Sequence, residues 1–157
     1  MAVSETEFRH ALSRFASGVT VATTVGPDGR PHGLTVSAFC SVSLRPPLVL
    51  ICIERTAPSH DAFVESHAFV VNILSEKQQA ISEQFAAPAD DKFDAIAHRP
   101  GIDGIPVFND ALATLECRLK YHHDGGDHSI FVGEVENISV ADGDPLIYFK
   151  GQYKGLS

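Results

Sequence analysis

The chain has 157 residues, 44% hydrophobic and 20% charged, with a formal net charge of −8. That length is one domain on the usual size prior and buries roughly 68–70% of the unfolded surface, so a core can form without staples. The acidic balance argues against a nucleic-acid binder, since no basic excess exists to neutralise phosphates, and three scattered cysteines exclude a disulfide framework.

Ser4-Glu5-Thr6-Glu7 has the capping-box form, and Phe8, Ala11, Leu12 and Phe15 follow at helical spacing. This predicts a short helix, stopped near Gly18, that packs its aromatic stripe inward. Val19–Val25 is a strand rich in Val and Thr. Pro27-Asp28-Gly29 is a turn in which Pro presets φ and Gly supplies a positive φ, so the next strand closes a hairpin. That strand spans Gly33–Ser43. Thr35, Ser37, Ser41 and Ser43 share one face of a period-2 pattern, with Val36, Ala38 and Val42 on the other. A solvated face would carry Lys, Glu or Arg. Small hydroxyls instead suggest a floor for a flat ligand with polar edges.

After Pro46-Pro47, the continuous apolar run Leu48–Ile53 predicts a buried strand. Glu54–Ser59 is a polar loop, followed by a short helix to Glu65 and a strand over Ala68–Leu74. Glu76–Phe85 has helical spacing. Ala86–Phe108, rich in Pro, Gly and Asp, is expected to be one long ordered loop. Ala111–Tyr121, Ile130–Ala141 and Leu146–Phe149 complete six or seven strands, with turns at Asp124–Asp127 and Asp142–Pro145. Strands joined by hairpins, with few short helices, predict a mainly β antiparallel barrel in a single domain over 1–157. Neither a dinucleotide-binding glycine fingerprint nor a Walker loop occurs.

No apolar run approaches the ~18 residues that span a bilayer, and the first residues lack a basic and an apolar region, so no secretory signal is expected. The expected compartment is the cytoplasm, with Cys40, Cys52 and Cys117 as buried free thiols.

Several residues can carry chemistry. Arg55, Thr56 and Ser59 offer a cation and two hydroxyls in the loop after a buried strand, and Ser59 can cap the following helix. The same pattern also describes an ordinary capped surface loop. Lys92 can reach a phosphate and Phe93 can anchor its loop or cover a ring, or the two are a solvated charge and an apolar anchor. His128 follows a glycine turn and reads as a turn residue, a metal ligand or a functional imidazole. Metal ligation is weak, because no Cys or Glu completes a spacing with His122 and His123. No Gly-x-Ser-x-Gly elbow supports a hydrolase. Tyr153, in Gly151-Gln152-Tyr153, is more often core than ligand.

In order, Phe8–Val21, Gly33–Leu48, Phe69-Val70-Val71-Asn72-Ile73-Leu74, Asp91-Lys92-Phe93, Gly126-Asp127-His128, Pro145–Tyr148 and Gly151-Gln152-Tyr153 resemble the short-chain flavin reductase family over about Phe8 to Tyr153. The resemblance implies a homodimeric split β-barrel that binds FMN or FAD, uses NADH or NADPH, and supplies reduced flavin to a partner flavin-dependent monooxygenase. It places Thr35, Val36, Ser37, Ala38 and Ser41 along the isoalloxazine. Cys52, Ile53, Glu54, Arg55, Thr56 and Ser59 fall at the ribityl and phosphate region, which Phe85, Ala86, Lys92 and Phe93 complete. His128, with Tyr153 beside it, falls at the nicotinamide. Glu54 either orients Arg55 or weakens flavin affinity. No arginine cluster suited to a 2′-phosphate is evident, which favours NADH. Hydride transfer between two cofactors needs no protein nucleophile, no metal, nucleic acid or membrane. Rival readings are a flavin-retaining oxidoreductase acting on another substrate, a split-barrel carrier of flavin or haem without turnover, and a docking domain for an oxygenase.

Overall fold

The computed structural model describes residues 2–89 and 91–157. Helix α1 (Glu5–Leu12) begins at the expected capping box: Glu7 N–H donates to Ser4 Oγ, and Ser4 N–H donates to the Glu7 carboxylate. After it come β1 (Ser17–Gly18), β2 (Thr20–Val25), β3 (Pro31–Val36), β4 (Phe39–Ser43) and β5 (Leu48–Glu54). Helix α2 (His60–Glu65) leads to β6 (Ala68–Ile73). A 3-10 turn (Glu76–Gln78) runs into α3 (Gln79–Ala86). The chain ends with β7 (His98–Pro100), β8 (Pro106–Phe108), β9 (Ala113–Gly125), β10 (His128–Val140), β11 (Ile147–Phe149) and β12 (Gln152–Lys154).

Seven strands form one antiparallel sheet in the order β3-β2-β6-β9-β10-β5-β4. It wraps around a core of Ala22, Val36, Val49, Ile51, Ile53, Phe69, Val71, Cys117 and Phe131, closed from one end by Phe63 of α2. The edge strands β3 and β4 are consecutive in sequence yet do not pair, which leaves the open seam of a split barrel. Two smaller sheets, β1-β11-β12 and β7-β8, flank it. On the outer face, Val21, Leu74, Phe85, Phe108 and Leu146 pack as a second apolar cluster. Buried polar side chains tie the layers together. The Asn72 amide donates to Val21 C=O and its oxygen accepts from Phe108 N–H, while Thr23 donates to Pro106 C=O.

Several expectations change here. Gly33–Ser43 is not one strand. It breaks at Ser37-Ala38, where Phe39 N–H bonds Ser37 C=O and Cys52 N–H bonds Ala38 C=O, so its halves become opposite edges of the sheet. The aromatic stripe of α1 faces outward: Phe8, Leu12 and Phe15 are 59%, 52% and 76% exposed. Residues 86–108 contain the β7-β8 ribbon, which packs Ile105 and Val107 against Ala68 and Val70. The β9-β10 hairpin turns only at Gly126-Asp127, with Gly126 at φ +70°, so both strands run further than expected. Leu48–Ile53 buries only Val49, Ile51 and Ile53; the other face, Leu48, Leu50 and Cys52, is half-buried, and of it Cys52 lines the recess described below. Cys40 is exposed and Cys52 half-buried; only Cys117 is buried, and burial pushes its thiol up to about 12. No helix among the described residues is long and apolar enough to cross a membrane.

Candidate functional site

Two recesses meet beside the seam. The larger, about 530 Å³, lies between the ends of β3 and β5, the 54–59 loop, the C-terminal end of α3 and His128 at the start of β10. The smaller, about 390 Å³, lies against the β2–β3 turn and the loop after α3. Pro58, Ser59, Pro88 and Lys92 line both, making one continuous groove.

Of the residues expected around a flavin, the larger recess gathers Thr35, Val36, Ser37, Ala38, Cys52, Ile53, Glu54, Thr56, Ser59, Phe85, Ala86 and Lys92, with His128 at its rim. Phe93 lines the smaller recess instead. Ser41, Arg55 and Tyr153 line neither. Ser41 sits in β4 opposite Val49, beyond the break in the strand. Arg55 turns away, donating to Gly126 C=O at 3.1 Å and pairing with Asp124, not with Glu54. Tyr153 packs in the outer cluster beside Tyr148, its hydroxyl 2.7 Å from Ser82 Oγ. Sequence reasoning missed Leu34, Ala87 and Pro88, and the pair Arg30 and His32 at the smaller recess. The only signal for those two was their position flanking the hairpin turn before Gly33.

The hydroxyls behave differently from one another. Thr35 Oγ1 donates to Ser82 C=O at 2.6 Å, so its proton is committed to the middle of α3. Ser37 lies exposed at the break, where two main-chain carbonyls are already engaged. Ser59 makes no side-chain cap to α2 and is buried in the wall. At one end of the larger recess, where it joins the smaller, Lys92 Nζ donates to Gly33 C=O and Phe85 C=O, each at 3.3 Å, and burial lowers its pKa below the usual lysine range. Gly33 is required there. A Cβ at this position would lie 2.9 Å from the Phe85 ring and 3.1 Å from Phe93.

At the other end, His128 Nδ1 lies 2.8 Å from Asp127 Oδ1. That hydrogen bond, followed by the attraction of a protonated ring, holds the Asp127 carboxyl below its usual range, with Arg9 of α1 adding a smaller pull. An ionised carboxylate can only accept, so Nδ1 carries the proton and, in the neutral ring, Nε2 is the acceptor. A second histidine follows the same logic. Asp61 accepts from His60 Nδ1–H at 3.1 Å, and Ser129 Oγ lies 2.8 Å from His60 Nε2. Ser129 is fully buried, so no substrate reaches it. The constellation is a strut joining α2 to β10 behind the groove.

The family model described as "Flavin reductase like domain" matches residues 12–157. The "Flavin reductase (NADH)" of Kitasatospora aureofaciens is 43% identical over 154 residues, covering 93% of this chain and 78% of the relative. The "Flavin-dependent monooxygenase, reductase subunit HsaB" of Mycobacterium tuberculosis is 40% identical, covering 95% and 81%. The "Streptomyces globisporus C-1027 NADH:FAD oxidoreductase SgcE6 in complex with NAD and FAD fragments" superposes with a TM-score of 0.93 at 33% identity, covering 98% and 93%. Against a "Probable flavin reductase" of Rhizobium meliloti, 39% identical over 92% of this chain, the match spans only 47% of the relative's length. A match over nearly the whole chain, with relatives this similar in sequence and shape, means that the protein belongs to the flavin reductase-like family.

Proposed function

We propose that this chain is an NADH-dependent flavin reductase that reduces FMN or FAD and passes the reduced flavin to a flavin-dependent monooxygenase. The observation that carries this reading is the larger recess, with a half-buried lysine at one end and an oriented histidine at the other. The residues present fit a flavin. Ala38, Cys52, Ala57 and Phe85 give narrow apolar walls for a flat ring, and Lys92 supplies the cation a phosphate needs. The names of the relatives, as an NADH flavin reductase and a monooxygenase reductase subunit, support the same assignment.

The flavin, when bound, supplies the two-electron acceptor, and the electronic chemistry belongs to it and to the nicotinamide. The protein's part is placement. Ala38, Cys52, Ala57 and Phe85 would hold the flat ring of the flavin, and a second ring placed against it would be oriented rather than left to chance encounter. His128 Nε2 accepts an N–H of the nicotinamide carboxamide and fixes that ring's orientation, while Asp127 keeps the required tautomer. Apolar walls exclude water from one side of the ring.

The chain works as a homodimer over a single 1–157 domain. Support comes from the outward apolar face of α1 and from Ile138 and Val140 of β10, 62% and 78% exposed in one copy. A cytoplasmic location accords with the demand for NADH. The test is steady-state NADH and NADPH oxidation with added FMN or FAD, with sedimentation analysis alongside. Flavin-dependent oxidation that favours NADH is expected, from a particle of twice the chain mass. A flavin that binds without accelerating oxidation makes the protein a carrier, and a monomer at micromolar concentration removes the dimer.

A further inference from the structure

Glu54 lines the larger recess with no cation paired to it. It ends β5 on the same face as Cys52, two residues earlier, and both residues line that recess. Across the antiparallel sheet it stands opposite His128 in register, so its side chain and the imidazole rise from one face. Three groups that could answer its charge are engaged elsewhere. Arg55, the next residue, turns to Asp124 and Gly126 C=O. His128 commits its Nδ1 proton to Asp127. Lys92, which lines the same recess, donates to Gly33 C=O and Phe85 C=O. No ion pair to Glu54 occurs among the described residues.

A fixed negative charge beside a flavin distinguishes its two oxidation states. Hydride transfer breaks a C–H bond of the dihydronicotinamide and delivers that hydrogen with its electron pair to the flavin. The nicotinamide becomes a cation and the flavin ring gains one negative charge, which stays until a proton from water neutralises it. The oxidised ring is neutral and meets Glu54 at little Coulomb cost. The reduced, anionic ring meets a like charge, and apolar walls at Ala38, Ala57 and Phe85 screen that repulsion less than water does. The ribityl and phosphate parts are the same in both states, so their interaction with Glu54 cancels from the comparison.

Resting on the flavin reading above, we infer that Glu54 is the residue by which this chain tells reduced from oxidised flavin, repelling the anionic product and so favouring its release to an acceptor. Glu54 is itself exposed, so the repulsion has the modest size of a solvated charge pair. The test is equilibrium binding of oxidised FMN, followed by fluorescence, and of anaerobically reduced FMN, followed by absorbance, at slightly alkaline pH. Wild type, Glu54→Gln and Glu54→Asp are compared. Glu54→Gln should tighten reduced FMN about fivefold, the upper range for an exposed pair, and leave the Kd of oxidised FMN within twofold. A fivefold change in that ratio raises the two-electron midpoint potential of the bound flavin by about 20 mV, a readout independent of turnover. Glu54→Asp should keep most of the wild-type ratio. Added salt should narrow the gap between wild type and Glu54→Gln. Retained binding of oxidised FMN reports an intact fold.

An unchanged ratio and potential in Glu54→Gln overturn the inference. Equal tightening of both oxidation states also overturns it, and sets the carboxylate against the phosphate instead. Lost affinity for oxidised FMN overturns it by assigning Glu54 to holding the neutral ring. Weaker NAD⁺ binding with an unchanged flavin ratio overturns it by moving the charge to the nicotinamide. Failure of the wild type to bind FMN in either state overturns the flavin reading itself, a result distinct from an unchanged ratio.

Discussion

At the Lys92 end of the groove the wall is aromatic core, whereas at the His128 end it is an exposed hairpin turn held by ion pairs. Phe85 is buried between Phe93 and Phe108, with ring centroids 5.1 and 5.3 Å away, and Lys92 bonds two main-chain carbonyls there. Asp124, Asp127 and Arg55 are exposed, and Arg55 joins the β5 end to the β9-β10 turn through Asp124 and Gly126. Packing fixes the first end and holds a charge at a set depth. Solvated pairs fix the second, and such pairs are weak and adjustable. The contrast gives the groove one rigid wall and one adjustable wall.

The most damaging way to test this contrast is Gly33→Val, because its Cβ meets the rigid Phe85 ring at 2.9 Å. Overpacking of this kind costs about 1–3 kcal/mol. Thermal unfolding should fall by several degrees, on the order of 2–4 °C per kcal/mol at this size, and flavin binding should disappear. Retained flavin affinity would show that packing does not shape this end.

Lys92→Ala should come next, weakening FMN roughly 10- to 100-fold, as expected for a charged hydrogen-bonding group, while riboflavin affinity changes little. The pH dependence of the same measurement sharpens the point. Burial lowers the Lys92 pKa, so in the free protein the ammonium is lost at a lower pH than the ~10.4 of a free lysine. The preference for FMN over riboflavin is therefore present at neutral pH and declines as pH rises towards that lowered value. Lys92→Arg should abolish this alkaline limb. Folding carries the opposite sign, since the desolvated charge opposes it at low pH and that penalty is relieved as the lysine deprotonates.

At the other end, His128→Ala should raise the KM for NADH about tenfold, roughly one lost hydrogen bond, with flavin Kd within twofold. Parallel losses would place His128 in the flavin site. The smallest effect belongs to Asp124→Asn. Its carboxyl is held below the usual range by the Arg55 hydrogen bond and charge, but it is fully solvated. A shift in thermal midpoint of no more than about 2–3 °C is expected, the ceiling for an exposed pair in a domain this size.

Much of this was legible in the sequence, for physical reasons that also explain the misses. Hairpins and helix starts depend on local chemistry such as Pro27-Asp28-Gly29 and Ser4–Glu7, and these appear as expected. Lys92 and His128, far apart in sequence, both line the larger recess. The break at Ser37-Ala38 was hidden because the period-2 pattern continues through it; only sheet closure requires the turn. The hydroxyl of Thr35 looked available because its partner, Ser82 C=O, is 47 residues away. The stripe of α1 has the periodicity of a core helix, and periodicity does not distinguish an inward face from one that meets another molecule.

Gly133 constrains which sequences can follow this one. A Cβ there would lie 2.7 Å from both Cys117 Cβ and the Phe69 ring, at a register shift in the β9-β10 ladder. A smaller residue at 69 would relieve only the ring contact and open a cavity in the buried core, while the clash with Cys117 Cβ remains for any side chain at 133. Changes at 69 and 133 share one contact, so their effects are not additive, yet the doubly changed core stays overpacked against Cys117. Descendants of this chain are therefore held to glycine at 133, whatever stands at 69.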